Sequence, residues 1–331
     1  MPNFIHLKPV VAPTDYMDEI ELRIKAEFKR RLYLPLMKIL QEPASTLSNA
    51  LGDEQALWEA LQTGKITFNR GVFSGKFDAR TTRALKKFSA KWSKMESAFK
   101  IPLNDMPIPI QQIIQATQNR FQRKIDAIDA QLSQVVPSQL AANIRLGDLL
   151  DKTIFKVDTD FRENVKNISI QPKLTKWQKD KISKEWENNL KLTIQDFAKS
   201  EIKELRKSIE KSYMAGNRYG SLVGQIQTSY GVSATKAKFL ARQETKLLTV
   251  KYAESRYVDA GCPKYTWRCV AGSPMHPVRP AHKKLDGTVQ EWAHPPITTE
   301  PGELVRRNNA GSDWNCRCLP SPIAEFRGDR G

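Results

Sequence analysis

The sequence predicts an α+β protein, predominantly helical, with a long central helix and a small β-rich C-terminal module. Three observations carry this reading. Apolar residues recur at three- and four-residue spacing over most of the chain. One stripe, Ile182, Trp186, Leu190, Phe197, Leu205, Ile209 and Tyr213, continues for about 40 residues, which is roughly 60 Å of helix. After Gly261 the pattern turns to alternation, with prolines 274, 277, 280, 295 and 296 marking loops.

Each element has its own signal. Thr14 opens a helix whose first turns are acidic and later turns basic, as the helix dipole favours; Ile20, Ile24, Phe28, Leu32 and Leu36 form its buried face and Pro35 should bend it. A short helix comes next around "EQALWEALQTG", then "KITFNRGVFSGKF" alternates like a hairpin. "GVFSGK" is not a phosphate loop, because Gly71 to Gly75 is one residue short and Phe77 stands where a magnesium-binding hydroxyl belongs. "DARTTRALKKFSAKWSKMESAF" reads as another amphipathic helix ended by "IPLNDMPIPI". Ile114, Phe121, Ile125, Ile128, Leu132 and Val135 suggest a short coiled-coil seam or, more simply, a helix packed on its own chain.

The stretch around 146–172 reads as a connector between Pro137 and Pro172. Thr175 and Gln178 have the spacing of a capping box at the head of the long helix. Glycines 216, 220 and 224 should loosen the chain before a further helix capped by Ser233 and stopped by Gly261. On that helix Leu240, Glu244, Leu247 and Lys251 lie in register; Glu244, beside Arg242, could make a buried pair with a distant base, but a solvated face is the default reading. "KYTWRCV" then reads as a strand with Tyr265, Trp267 and Cys269 on one side, and Asp286 with Gly287 signals a hairpin turn.

The chain of 331 residues carries 53 Lys and Arg against 36 Asp and Glu, a formal +17. Such an excess suits a neighbour of nucleic acid or of an acidic protein surface, or simply a lysine-rich helical exterior. No apolar run approaches the roughly 20 residues that span a bilayer, and the opening segment lacks the pattern of a secretory leader. Residence in cytoplasm is therefore expected, with the four cysteines as thiols, metal ligands or core residues rather than disulfides.

All four cysteines and three of the four histidines fall after Gly261. Cys262, Cys269, Cys316, Cys318, His276, His282 and His294 invite a zinc hypothesis, although no C-x-x-C pair is present. The enzymatic alternative is a metal-dependent nuclease built on His282, Asp286 and Arg279; nothing in "VRPAHKKLDG" fixes an acid and base in mutual geometry.

The order "FLARQET", "YTWRCV", "VRPAHKKLDG", "HPP" and "NCRC" resembles the C-terminal domain of the phage Mu protein F-like, or phage head-morphogenesis, family of minor capsid proteins, over roughly residues 165 to 320. The residues that carry the likeness are Arg242, Glu244, Trp267, Arg279, His282, Gly287, Asn315, Cys316, Arg317 and Cys318. Some relatives hold C-x-x-C where Arg279 and His282 stand here, and H-x-x-C-x-C at the end. This chain keeps His282, Cys316 and Cys318 but has Arg279 and Asp313 at the other two positions, so a complete metal site would need Asp313, His276 or Cys269. The resemblance leaves zinc open without leading one to expect it, the other use of "NCRC" being a closing strand with its sulfurs packed under Trp267 and Trp292 and Arg317 outward.

The resemblance implies a virion structural and assembly protein without catalysis or cofactor. Its partners would be the portal protein, the capsid interior and, non-specifically, DNA; it would sit in the virion after assembly in the host cytoplasm. The expected division is a helical N-terminal domain at 1–145 that meets portal or capsid, a connector at 146–172, the head-morphogenesis domain at 173–320 with its β-rich module from 262, and a tail at 321–331.

Overall fold

The computed structural model describes residues 3–41, 52–102, 106–166, 175–214, 219–270 and 277–326. It is predominantly helical with small antiparallel sheets, the α+β class read from the pattern. Two compact units emerge, one of residues 1–25, 142–194 and 235–331, the other of 26–141 and 195–234.

In the second unit, α3 (Asp53–Gln62) packs with a sheet of order β2-β3-β5-β4 and the start of α5 (Ile108–Gln134). Leu57, Ile66, Phe73, Leu85 and Ile110 are fully buried between them. The expected hairpin is there, β2 (Ile66–Asn69) against β3 (Val72–Gly75). The expected amphipathic helix after Asp78 is only half right. Asp78 and Thr81 form a capping box, but α4 ends at Lys87 (Ala79–Lys87) and Ser89 turns with φ +61°. The chain then doubles back as a hairpin, β4 (Lys91–Ser93) and β5 (Ala98–Lys100), in which Trp92 faces Phe99 with ring centroids 4.9 Å apart and both meet Phe77. Trp92, Met95 and Phe99 are spaced like a helix face, yet Met95 is 99% exposed at the hairpin tip. Aromatic pairing across strands outweighed the local period. Of the seam residues on α5, Ile114, Ile128 and Leu132 are buried in the chain itself, while Phe121, Ile125 and Val135 are half-buried.

The first helix bears out its stripe: Ile20, Ile24, Phe28, Leu32 and Leu36 are all buried. α1 (Thr14–Phe28) passes into a single wide turn, Lys29–Tyr33, before α2 (Leu34–Gln41). There Leu34 N–H reaches back to the Lys29 carbonyl, just where Pro35 has no N–H to offer.

In the first unit, α6 (Pro137–Asn143) contributes its last residues and α7 (Gly147–Val165) its whole length. The expected connector is thus a 19-residue helix whose Leu150, Ile154, Val157 and Phe161 are buried. α8 (Lys176–Met214) is the long helix, headed by the Thr175 and Gln178 capping box: Gln178 Oε1 accepts from Thr175 N–H, and Gln178 N–H donates to Thr175 Oγ1. Of its stripe Trp186, Leu190, Leu205 and Ile209 are buried and Ile182 and Phe197 half-buried; the side chain of Tyr213 lies outside the described residues.

α9 (Tyr219–Asp259) runs through Gly220 and Gly224 and is longer than they suggested; Gly216 lies outside the described residues. Ser233 does not cap it but lies buried within it, and a β-carbon at Gly224 or Gly231 would meet nothing within 4 Å. Those glycines weaken the helix by about 1 kcal/mol each without breaking it. Its stop is as read: Gly261, at φ +79°, donates to Val258 O while Cys262 N–H reaches Tyr257 O, the paired bonds of a Schellman end.

The C-terminal sheet has the order β1-β8-β6-β7. β6 (Lys264–Arg268) buries Tyr265 and Trp267 completely. β7 (Val289–Glu291) pairs with it, and β8 (Leu319–Phe326) lies on its other side. Residues 321–326 of the expected tail are therefore part of a central strand, the rest of it lying outside the described residues, and β1 (Asn3–His6) of the expected N-terminal domain closes the same sheet. Pro320 and Pro322 concealed β8, since proline usually marks an edge. Here Pro322 O accepts from Leu7 N–H, so its nitrogen also faces away from β6, where no ladder bond is lost.

Candidate functional site

The site lies where four pieces of the first unit meet: α9, the end of β6, the short α10 (Pro280–Leu285) and the turn that leads into β8. Pro280 stands at the start of α10, where its missing N–H costs nothing. His282, 2% exposed, points one ring nitrogen to each side. Its Nε2 is 3.1 Å from Asp313 Oδ2, and its Nδ1 is 3.5 Å from Cys316 Sγ and 3.7 Å from Cys318 Sγ. The carboxylate fixes Nε2 as the donor and leaves the Nδ1 lone pair aimed at the sulfurs. Trp267 closes one side, its ring edge-on to the imidazole at 5.4 Å.

Asp313 is buried and fully engaged. Its Oδ2 also accepts from Arg279 Nη1 at 2.7 Å, its Oδ1 accepts from Trp314 N–H at 2.8 Å, and Arg306 Nη1 lies 3.5 Å from Oδ1. Arg279 Nη2 donates to Trp314 O. The turn is held from α9 by Gln243, which accepts from Asn315 N–H at 2.8 Å and donates to Asp313 O at 3.4 Å, and by Lys246, whose Nζ donates to Cys316 O at 2.6 Å. Asn315 takes a positive φ of 52°, which asparagine tolerates.

Electrostatics divide the two sulfurs of "NCRC". The hydrogen bond with Cys318, helped by His282, holds Cys316 well below the usual thiol range against the cost of burial. The same bond pushes Cys318 upward, reinforced by its own burial. Burial pulls His282 down, but Cys316 and Asp313 outweigh it and the imidazole is raised. Cys262, by contrast, is pushed up to about 11 by burial alone. Cys269, at the end of β6, has its Sγ 3.6 Å from Cys318 Sγ and 3.3 Å from the His282 carbonyl.

The structure thus brings together His282, Cys316, Cys318 and Arg279, and adds Cys269. It separates the other candidates. Asp286 accepts from Cys269 N–H at 2.8 Å rather than facing His282, so the His282, Asp286 and Arg279 cluster of the nuclease reading is not assembled; Asp313 takes the acid's place. Asp286 and Gly287, at φ +77°, form the turn between α10 and β7 rather than a two-strand hairpin. "NCRC" is a turn and an extended approach to β8, not a closing strand, with Cys316 and Cys318 buried and Arg317 exposed. His294 is exposed away from the cluster, and His276 lies outside the described residues. Arg242 is exposed as expected, but Glu244 is buried, its Oε1 3.5 Å from Thr193 Oγ1 and its backbone carbonyl bonded by Trp186 Nε1. Gln243 and Lys246 went unnoticed in the sequence; their one signal was their place in and just after the "FLARQET" block.

Residues 203–320 match the family described as Phage Mu protein F like protein, so the likeness read from the five blocks holds over that segment. An uncharacterized protein of Haemophilus influenzae (strain Rd) is 26% identical over 122 residues, covering 37% of this chain and 25% of that protein. This chain thus spans about a quarter of the length of that relative. No solved structure matches.

Proposed function

We propose that this protein is a minor capsid protein of phage head morphogenesis, a structural and assembly factor that works at the portal and head interior and meets packaged or ejected DNA without reading its sequence. The observation that carries the reading is the Phage Mu protein F-like segment at 203–320, which includes every residue of the buried cluster. A cluster with His282 and Asp313 2% and 3% exposed suits a clamp that holds a module together better than a site that admits a polymer. The formal charge of +17 suits a neighbour of packaged DNA. Among the described residues no helix is long and apolar enough to cross a membrane.

Mass spectrometry of purified particles tests the role directly: the protein should be present at a fixed, low ratio to the major shell protein. Its absence from particles would overturn the assignment. Binding to duplex DNA should fall steeply between low and moderate salt and be indifferent to sequence, because phosphate neutralisation is all the charge offers. Plasmid nicking that is lost in His282→Ala would instead establish the nuclease reading.

A further inference from the structure

We propose that Cys269, His282, Cys316 and Cys318 bind one zinc ion, which ties the end of β6, α10 and the turn before β8 into one unit. The inference is independent of the role in the virion. Its first ground is distance. A tetrahedral zinc with Zn–S near 2.3 Å and Zn–N near 2.0 to 2.1 Å separates its ligands by about 3.6 Å between nitrogen and sulfur and about 3.8 Å between sulfurs. The contacts here are 3.5 and 3.7 Å from His282 Nδ1 to the two sulfurs of Cys316 and Cys318, and 3.6 Å between Cys318 and Cys269. The ligating atoms of His282, Cys316 and Cys318 all lie within 4.8 Å of one another, and all three residues are buried.

The second ground is orientation. A ligating histidine is usually held through its other nitrogen by a carboxylate. Asp313 holds Nε2 in this way, and Asp313 is itself fixed by Arg279 and the Trp314 N–H. That same engagement removes Asp313 from the ligand set, because it lies on the far side of the imidazole from the sulfurs. Cys269 is then the fourth ligand: half-buried just past the end of β6, it has its Sγ 3.6 Å from Cys318 Sγ and 3.3 Å from the His282 carbonyl, on the sulfur side of the imidazole. Three thiolates, one neutral imidazole and Zn2+ leave a single negative charge. Lys246, its ammonium on the Cys316 carbonyl, stands beside it.

The third ground is what the clip would hold. Between β7 and β8 the chain runs from 292 to 318 with isolated bridges as its only sheet pairing. A metal that joins the end of this segment to β6 and α10 supplies folding free energy where regular pairing is sparse.

The test uses the full-length protein purified without chelator. Elemental analysis should give about one zinc per chain. Replacement by Co2+ should produce intense visible absorption of a tetrahedral site together with a thiolate charge-transfer band. Cys316→Ser with Cys318→Ser should lose both. Should that variant fail to fold, the wild type carries the test alone, because chelation should lower its melting temperature and zinc should restore it. Cys269→Ser should keep the fold while weakening zinc retention against a competing chelator at least tenfold. Metal-free protein as purified, with melting unmoved by chelator and Cys316 alkylated by iodoacetamide in the folded state, would overturn the site. Unchanged zinc retention and cobalt spectrum in Cys269→Ser would overturn the four-ligand set.

Discussion

Arg279 and His282 converge on one atom: Nη1 of the arginine and Nε2 of the histidine both lie within hydrogen-bond reach of Asp313 Oδ2, at 2.7 and 3.1 Å. The carboxylate is buried while Arg279 keeps more than a third of its surface, so the pair is partly screened. Asp313→Asn should destabilise the chain by about 2 to 3 kcal/mol, less than a fully buried pair, because it strands the histidine's donor and weakens the hold on Arg279. Arg279→Ala should cost less, since Arg306 also faces the carboxylate. Chemical denaturation of the two variants checks the order, and equal costs would contradict it.

Trp267 is completely buried on β6, in front of His282 and opposite Pro320. Trp267→Ala should cost roughly 3 to 5 kcal/mol through the cavity it leaves. Near-normal thermal stability would mean that the C-terminal sheet does not depend on this side chain.

These positions show what a sequence can disclose. Helix stripes such as Ile20 to Leu36 and Trp186 to Ile209 were legible because the period belongs to the chain itself. Trp267 was legible for the same reason, as one beat of a strand. β1 was not, because its partner β8 lies more than 300 residues away, and β8 was not, because two prolines break the expected strand composition. At the site, the residue types were legible and their grouping only in part. Asp286 is near His282 in sequence but is drawn to the Cys269 N–H, whereas Asp313, 31 positions away, reaches the ring. Glu244 looked solvated because its burial comes from packing against Trp186 and Thr193 of α8, a contact between helices that no local pattern announces.

Gly75 accounts for the look of a phosphate loop in "GVFSGK". It holds φ +142°, and a β-carbon there would run into the Lys65 carbonyl, which accepts from Lys76 N–H at 2.9 Å. The glycine serves the hairpin. Gly75→Ala should therefore destabilise the second unit by at least the roughly 1 to 3 kcal/mol of a strained backbone, and calorimetry with ATP and Mg2+ should show no binding in either form.

Burial raises the carboxyl of Glu244 above its ordinary value, against the smaller pull of Thr193 and Lys251. A carboxyl raised in the folded state holds its proton more tightly there than in the unfolded chain. Its contribution is thus fully present below the unfolded value near pH 4.3 and is lost as pH rises through the folded one. Glu244→Gln, which stays neutral, should be more stable than the wild type at pH 7, with the advantage shrinking toward pH 4. Urea denaturation at both pH values measures it, and a difference that does not change with pH would refute the assignment.

Arg256 on α9 is almost wholly buried, lies 4.5 Å over the ring of Phe161 and meets Asp158 through Nε and Nη2, each at 3.2 Å. Tyr252 donates to the same carboxylate at 2.9 Å, so α7 and α9 are joined by a charged group set among aromatic rings. A buried ion pair need not add net stability, but removing one member leaves the other charge without compensation. Asp158→Ala should consequently cost about 3 to 5 kcal/mol, while Arg256→Met, which removes the buried charge and keeps much of the volume, should cost less. In the double variant the aspartate's removal should hurt far less than alone, giving a coupling of at least about 1 kcal/mol. Additive losses in that cycle would show that the guanidinium is held by Phe161 and packing rather than by Asp158.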